Sequence, residues 1–292
     1  MEVFLPRTLE EALETKASHP EAVPIAGGTD LMVELNFDRH RPEAMMDISR
    51  LGELRQWRRE DGEVFLGAGV TYTRILHELA GHPAWAQAAR TVGSPQIRNR
   101  GTVGGNLGTA SPAGDALPVL AALDATVILT SAGDGQRSLR WNEFTVGVKK
   151  TTLRPDELIL GCRWKAVRGT GSFSKIGTRN AMVISMAGLC LILDEDERTV
   201  RVALGSVAPT IVRATEAEAF AQRALTDVGA WEDPSAVVPH GVFTHFGQLV
   251  AEATRPIDDV RGTAAYRRHA CSVMGKRALA WAMEDRLGRR DG

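Results

Sequence analysis

Cysteine is scarce in this sequence: 292 residues hold three, Cys162, Cys190 and Cys271, far apart and without a CxxC pair. That excludes a disulfide framework, and it leaves no thiolate set from which this chain alone could build a zinc or iron–sulfur centre. The three read as buried or free thiols of a reducing cytosol. An excess of one charge is also missing. The 35 basic and 36 acidic residues give a formal net charge of -1, so no global positive field draws the chain to nucleic acid or to an anionic membrane. Long hydrophobic runs are absent too. The longest uncharged apolar stretch, residues 181–193, lies between Arg179 and Asp194 and falls short of the roughly 20 residues of a membrane helix. It reads as one or two buried strands. Residues 1–13 carry acids early and lack a basic region followed by an apolar core, so they do not read as a secretory signal. The expectation is a cytoplasmic protein with no membrane span. His77 and His82 lack the i, i+4 spacing of a helical metal pair.

What is present is a globular composition, 43% apolar and 24% charged, sufficient for a large core. The length accommodates one large domain or two. The pattern predicts a βαβ-like start: a strand at residues 3–5, a helix over 8–19 with Thr8 as N-cap and Glu11 in the capping-box position, and a strand ending at 25–26. A helix over 31–36 and a strand over 44–48 come next. Strands 54–57 and 63–66 flank Asp61-Gly62, and strands 125–130 and 136–139 flank residues 132–135; both read as hairpins. Helices are predicted over 73–79, 84–91 and 117–123, and a strand over 158–164. Arg168-Gly169-Thr170-Gly171 reads as a flexible polar linker, which places a boundary near residues 166–171. Beyond it, strands over 172–176, 185–193 and 200–207 and helices over 215–224, 244–253 and 263–287 predict a sheet backed by helices. Residues 194–198 read as a solvated hairpin turn, and residues 228–242 as a loop.

Two glycine-bearing segments stand out. In Ala26-Gly27-Gly28-Thr29-Asp30-Leu31 a strand runs into two glycines and a helix start, which brings backbone N–H groups and the Thr29 hydroxyl within reach of an anion. A plain N-cap at Thr29 or Asp30 explains the same residues. The second segment, residues 93–115, contains Gly93, Gly101, Gly104, Gly105, Gly108 and Gly114 interleaved with Thr102, Asn106, Thr109 and Ser111. A long loop of this composition loses much entropy on ordering and calls for a ligand or partner. It offers N–H, hydroxyl and amide donors in a row, with Asp115 as an acceptor suited to ribose hydroxyls. Together the two segments could clamp an extended diphosphate ligand. Neither is GxGxxG nor GxxxxGK[ST], so a Rossmann site or a P-loop is not supported. Arg98-Asn99-Arg100 is suited equally to neutralising phosphate and to facing a partner.

These segments resemble the paired FAD loops of the flavoprotein (medium) subunit of molybdenum hydroxylases, the family of xanthine and carbon monoxide dehydrogenases. The likeness continues through Pro155-Asp156-Glu157-Leu158-Ile159-Leu160, through Phe173-Ser174-Lys175-Ile176-Gly177-Thr178-Arg179, and through Arg255-Pro256-Ile257-Asp258-Asp259-Val260-Arg261-Gly262 with Tyr266-Arg267-Arg268. The resemblance implies an α+β chain. A PCMH-type FAD-binding domain over residues 1–167 would comprise two α/β subdomains, 1–50 and 51–167. A smaller α+β domain of the CO-dehydrogenase flavoprotein carboxy-terminal type would occupy 168–292.

The resemblance further implies that Ala26, Gly27, Gly28, Thr29 and Asp30, flanked by Ile25 and Leu31, meet the diphosphate of FAD together with Thr102, Gly104, Gly105 and Asn106. Val92, Gly93, Ile97, Gly108 and Thr109 complete the two loops. Gly114 and Asp115 would sit at the ribose and adenine end, Leu158 and Ile159 at the adenine or ring region, and Lys175 near the flavin; Lys175 also reads as a solvated strand lysine. After Arg179, Asn180-Ala181-Met182 stands where eukaryotic xanthine enzymes carry acidic residues. No histidine lies in either loop, so the FAD is expected to be non-covalent. Molybdopterin and iron–sulfur clusters would reside on a large and a small partner subunit, in a dimer of heterotrimers. The implied function is transfer of electrons from those clusters through FAD to an acceptor such as NAD or quinone, with no catalytic acid, base or nucleophile in this chain. A stand-alone FAD-dependent oxidoreductase and a flavin-less scaffold module are the alternatives.

Overall fold

The computed structural model describes residues 1–39 and 41–288, so the last residues of the expected carboxy-terminal domain lie outside it. The chain divides into two compact units. The first comprises Met1–Ile75, Gly93–Ser111 and Asp124–Ala166; the second comprises Leu76–Val92, Pro112–Leu123 and Val167–Gly292.

The first unit begins with the expected βαβ arrangement. Strands Glu2–Phe4, Ala44–Asp47 and Val23–Ile25 form a parallel sheet in that order, with helix Leu9–Ser18 as the first crossover. Thr8 Oγ1 accepts the Glu11 N–H at 3.1 Å, but the Glu11 carboxylate takes the Arg7 N–H at 2.7 Å instead of closing the box on Thr8. Lys16 ends this helix: its buried ammonium donates to the carbonyls of Pro20 and Ala22, and burial lowers its pKa. Ala12, Ala22, Ala44, Met46, Leu51, Leu54 and Leu158 form one core cluster of this unit.

The same unit holds a five-stranded antiparallel sheet in the order Trp57–Glu60, Glu63–Gly67, Leu158–Lys165, Thr126–Ser131, Gly135–Arg140. Both expected hairpins are present. Asp61 and Gly62 each have positive φ, the requirement of a tight two-residue turn. Leu54, expected in a strand, belongs instead to the 3-10 turn Gly52–Arg55, because its side chain is drawn down into the core.

Two further expectations change. Residues 93–115 are not an open loop: they carry helices Pro95–Arg100 and Val103–Thr109, started by the Ser94 and Thr102 caps. Residues 168–171 are not a flexible linker either, because strand Gly169–Ile176 already begins there. A side chain at Gly169 would strike the Leu193 carbonyl, and one at Gly171 would lie 2.8 Å from the Ile192 side chain. These glycines serve close strand pairing.

In the second unit, strands Gly169–Ile176, Ala187–Asp194, Thr199–Gly205 and Val212–Arg213 make an antiparallel sheet. Leu189, Leu191 and Leu193 share one face with Val200, Val202 and Leu204. They pack into a core with residues of helices Thr215–Asp227, His240–Glu252 and Ala264–Arg286. Of the apolar run 181–193, only the part from Ala187 is strand; Met182 and Ile184 are exposed. Residues 194–198 form a hairpin turn, but Asp194 is buried rather than solvated: its Oδ1 accepts the N–H groups of Asp196 and Glu197, and Arg201 donates to its Oδ2.

A half-buried ion pair braces the first unit. Arg137 Nη2 donates to Glu157 Oε2 at 2.8 Å and to the Thr152 carbonyl at 2.9 Å, and the same carboxylate takes the Arg154 N–H at 2.7 Å. The Arg137 hydrogen bond, chiefly, holds the Glu157 carboxyl below its ordinary range. A folded-state pKa below the unfolded one stabilises the fold above the unfolded pKa of about 4.3. That contribution is lost as pH falls through the folded value. Glu157→Gln is expected to cost about 1–3 kcal/mol at neutral pH and to flatten the acid limb of stability, read by urea denaturation at a series of pH values below neutrality.

Candidate functional site

Strand Val23–Ile25 ends where the chain turns through Ala26, Gly27, Gly28, Thr29 and Asp30 into helix Leu31–Asn36. Gly28 has φ +73, a conformation that favours glycine. A Cβ on Gly27 would collide with the Arg100 carbonyl, so the loop lies backbone against backbone on the residues before Gly101. A Cβ at Gly101 would in turn be 3.6 Å from Thr29 Oγ1. The N–H groups of Gly27, Gly28, Thr29 and Asp30 meet no acceptor among the described residues. Asp30 does not cap its helix; its Oδ2 accepts the Thr109 hydroxyl at 2.9 Å. That bond joins the two glycine segments at the far end of helix Val103–Thr109.

The second segment differs from its expected role as a row of donors. Val103 N–H donates to the Val70 carbonyl at 3.2 Å, Gly104 N–H to the Ala68 carbonyl at 2.8 Å, Gly105 N–H to Thr102 Oγ1 at 3.0 Å, and Asn106 N–H to the Thr102 carbonyl at 3.2 Å. These donors and the Thr102 hydroxyl are engaged within the protein, because the helix start is stitched to the strand-end residues 68–70. Gly104 permits that approach: a Cβ there would lie 2.6 Å from the Ala68 Cβ. Gly105 and Gly108 are exposed and leave open surface, with Ile159 Cδ1 3.7 Å from where a Gly108 Cβ would be. Leu158 is wholly in the core, so only its backbone can meet a ligand. Gly93 has φ +44 and its carbonyl takes the Arg98 guanidinium at 3.0 Å; the Ile97 side chain packs on Gly93, and Ile97 N–H donates to the Ser94 cap.

The remaining expected residues, Val92, Gly114, Asp115 and Lys175, lie in the second unit. Lys175 is not a solvated strand lysine. Its ammonium, in a side chain only 7% exposed, donates to Asp115 Oδ2 at 2.6 Å and to the Thr91 carbonyl at 3.1 Å. Thr91 Oγ1 reaches the same carboxylate oxygen at 3.2 Å. Asp115 therefore is not the free acceptor expected for ribose hydroxyls at that oxygen. Burial pushes its carboxyl up, while Lys175 and Thr91 pull it back.

Sequence reasoning missed two participants. Thr91 closes the Lys175–Asp115 contact, and nothing in its sequence surroundings marks it. Ala68 is the backbone bridge, its N–H donating to the Leu160 carbonyl at 3.0 Å while its own carbonyl takes Gly104 N–H. Its only signal was a small residue at a strand end.

Lys175→Met would leave Asp115 buried without its cation, at an expected cost of about 3–5 kcal/mol, measured by chemical denaturation. Gly104→Ala is expected to lower the melting temperature, because its Cβ has no room against Ala68. Gly105→Ala is expected to lower it less, since the Cβ there would press only on Thr102 Oγ1, at 3.2 Å.

The family described as the FAD binding domain in molybdopterin dehydrogenase matches residues 1–163, and the CO dehydrogenase flavoprotein C-terminal domain matches residues 172–282. The chain is 38% identical to the nicotinate dehydrogenase FAD-subunit of Eubacterium barkeri over 64% of this chain and 66% of that one. It is 30% identical to the carbon monoxide dehydrogenase medium chain of Hydrogenophaga pseudoflava over 96% and 97%. A solved carbon monoxide dehydrogenase from Hydrogenophaga pseudoflava, lacking the Mo-pyranopterin moiety, superposes with a TM-score of 0.84 at 26% identity, covering 98% of both chains. With both domains matched in order, this chain belongs to the FAD-binding flavoprotein family of the molybdopterin dehydrogenases.

Proposed function

We propose that this chain is the FAD-carrying electron-transfer subunit of a molybdopterin-dependent dehydrogenase. It would take electrons from iron–sulfur clusters of a small partner subunit and pass them to an acceptor such as NAD or quinone. Hydroxylation of the organic substrate belongs to a large molybdopterin-bearing partner, and a dimer of such heterotrimers is the assembly we favour. The observation that carries the reading is the row of N–H groups at Gly27 to Asp30, which meet no acceptor among the described residues, on a loop that only glycine can build. Such a row fits the diphosphate of FAD.

When bound, FAD supplies the ability to pass electrons singly or in pairs. The chain's own residues bind and orient it non-covalently. Gly27, Gly28, Thr29 and Asp30 offer N–H donors, and Thr29 adds a hydroxyl. Exposed Gly105 and Gly108 let a phosphate or ribityl chain approach closely. No residue need act as acid, base or nucleophile. The cysteines support placing clusters elsewhere: all three are buried, and burial pushes their thiols up, that of Cys271 to about 12, which disfavours the thiolate needed for ligation.

Purification of the chain alone and with cluster-bearing candidates tests this. The expected result is a yellow protein that forms a complex with those chains. A colourless protein that gains no thermal stability from FAD would overturn it. Gly105→Val should abolish the flavin absorbance while leaving a folded protein, whereas Glu216→Gln, on helix Thr215–Asp227, should retain it.

A further inference from the structure

We infer that Arg100 is a cofactor-binding residue, supplying the counter-charge for the diphosphate at the Gly27 to Asp30 turn. The inference rests on the FAD reading above and adds to it a residue outside the glycine loops' own donors.

The charges around the turn define the need. Asp30 is at the turn itself, its carboxylate held by the Thr109 hydroxyl. Glu34, one helical turn on, is paired with Lys149 at 2.7 Å, and Asp30 contributes to the field on that lysine. Lys149 is thus balanced by two carboxylates within the protein. A diphosphate brought to the open N–H row would meet the Asp30 carboxylate nearby, and helix Leu31–Asn36 is too short for its dipole to offset that. A cation beside the turn would offset that repulsion.

Arg100 is placed to be that cation. Its carbonyl packs on Gly27 so closely that no β-carbon fits between them, which fixes the Arg100 backbone against the turn. Its Nε reaches the Gly27 carbonyl only at 3.5 Å, the outer limit of a hydrogen bond. Among the described residues, no carboxylate pairs with it, and its guanidinium has no other hydrogen-bond acceptor. The side chain is exposed. A planar guanidinium with its fork of donors uncommitted, beside open backbone N–H groups, matches the geometry that phosphate oxygens select.

The test is FAD titration of the full-length apoprotein, monitored by quenching of flavin fluorescence, for wild type, Arg100→Gln and Arg100→Lys, at low and at high salt. Arg163→Gln, whose arginine pairs with Glu63 on the five-stranded sheet, serves as a control. Arg100→Gln should weaken FAD binding about tenfold or more at low salt and make it less sensitive to salt. Arg100→Lys should recover part of the affinity, and the control should match wild type. The apoprotein melting temperature should be the same in all four. Wild type that binds FAD while Arg100→Gln binds it equally, with the same salt dependence, would overturn the role of Arg100 and leave the FAD reading standing. Wild type that fails to bind FAD would overturn both.

Discussion

Gly27 has no space for a β-carbon, because the carbonyl of Arg100 occupies it. The rest of the candidate site in the first unit depends on that contact. It lets the loop leaving strand Val23–Ile25 lie directly on the segment that enters helix Val103–Thr109, although the two are far apart in the chain. Gly104 repeats the device one step further, seating the helix start on Ala68, which is itself hydrogen-bonded to Leu160 beside the bulge in strand Leu158–Lys165. Loop, helix and sheet are thus joined through backbone atoms, whose positions vary far less than side chains do. A binding surface made of main-chain donors needs that rigidity, since its donors cannot adjust by changing rotamer.

The second consequence lies in how hydrogen bonds are divided. The helix start at Thr102 satisfies its own N–H groups, through the threonine cap and the carbonyls of residues 68 and 70. The loop at Gly27 does not. One segment therefore acts as scaffold and the other as recognition surface, although their compositions suggest the same role. A similar division holds in the second unit. The Lys175–Asp115 pair is removed from water and completed by Thr91, an arrangement in which each charge makes the burial of the other tolerable. Such a pair adds little to stability over an apolar substitute, but it holds an ammonium in one defined place.

Much of this is legible in the sequence. The hairpin at Asp61-Gly62, the Thr8 cap and the strand and helix alternation are local, and local physics reads them: positive φ, a hydroxyl three residues before an amide, and apolar periodicity. The changed readings of glycine segments share one cause. Gly169 and Gly171 read as a linker, and residues 93–115 as an open loop, because glycine has the same letter whether it confers freedom or permits contact. Only the neighbour decides, and the neighbours here are Leu193 and Ile192 in one case, Ala68 in the other. Lys175 was open between solvent and site for the same reason, since its burial is set by Asp115 and Thr91, distant in sequence.

The order of the motifs was enough to point to the family and its cofactor class, because that likeness is carried by which residues are present and in what succession. Which donors, among the described residues, remain open, which are already bound, and which arginine has no carboxylate partner beside them came only with the tertiary structure. A hydrogen bond is a relation between two groups in space, and whether the acceptor lies close enough is fixed by chain packing over long separations.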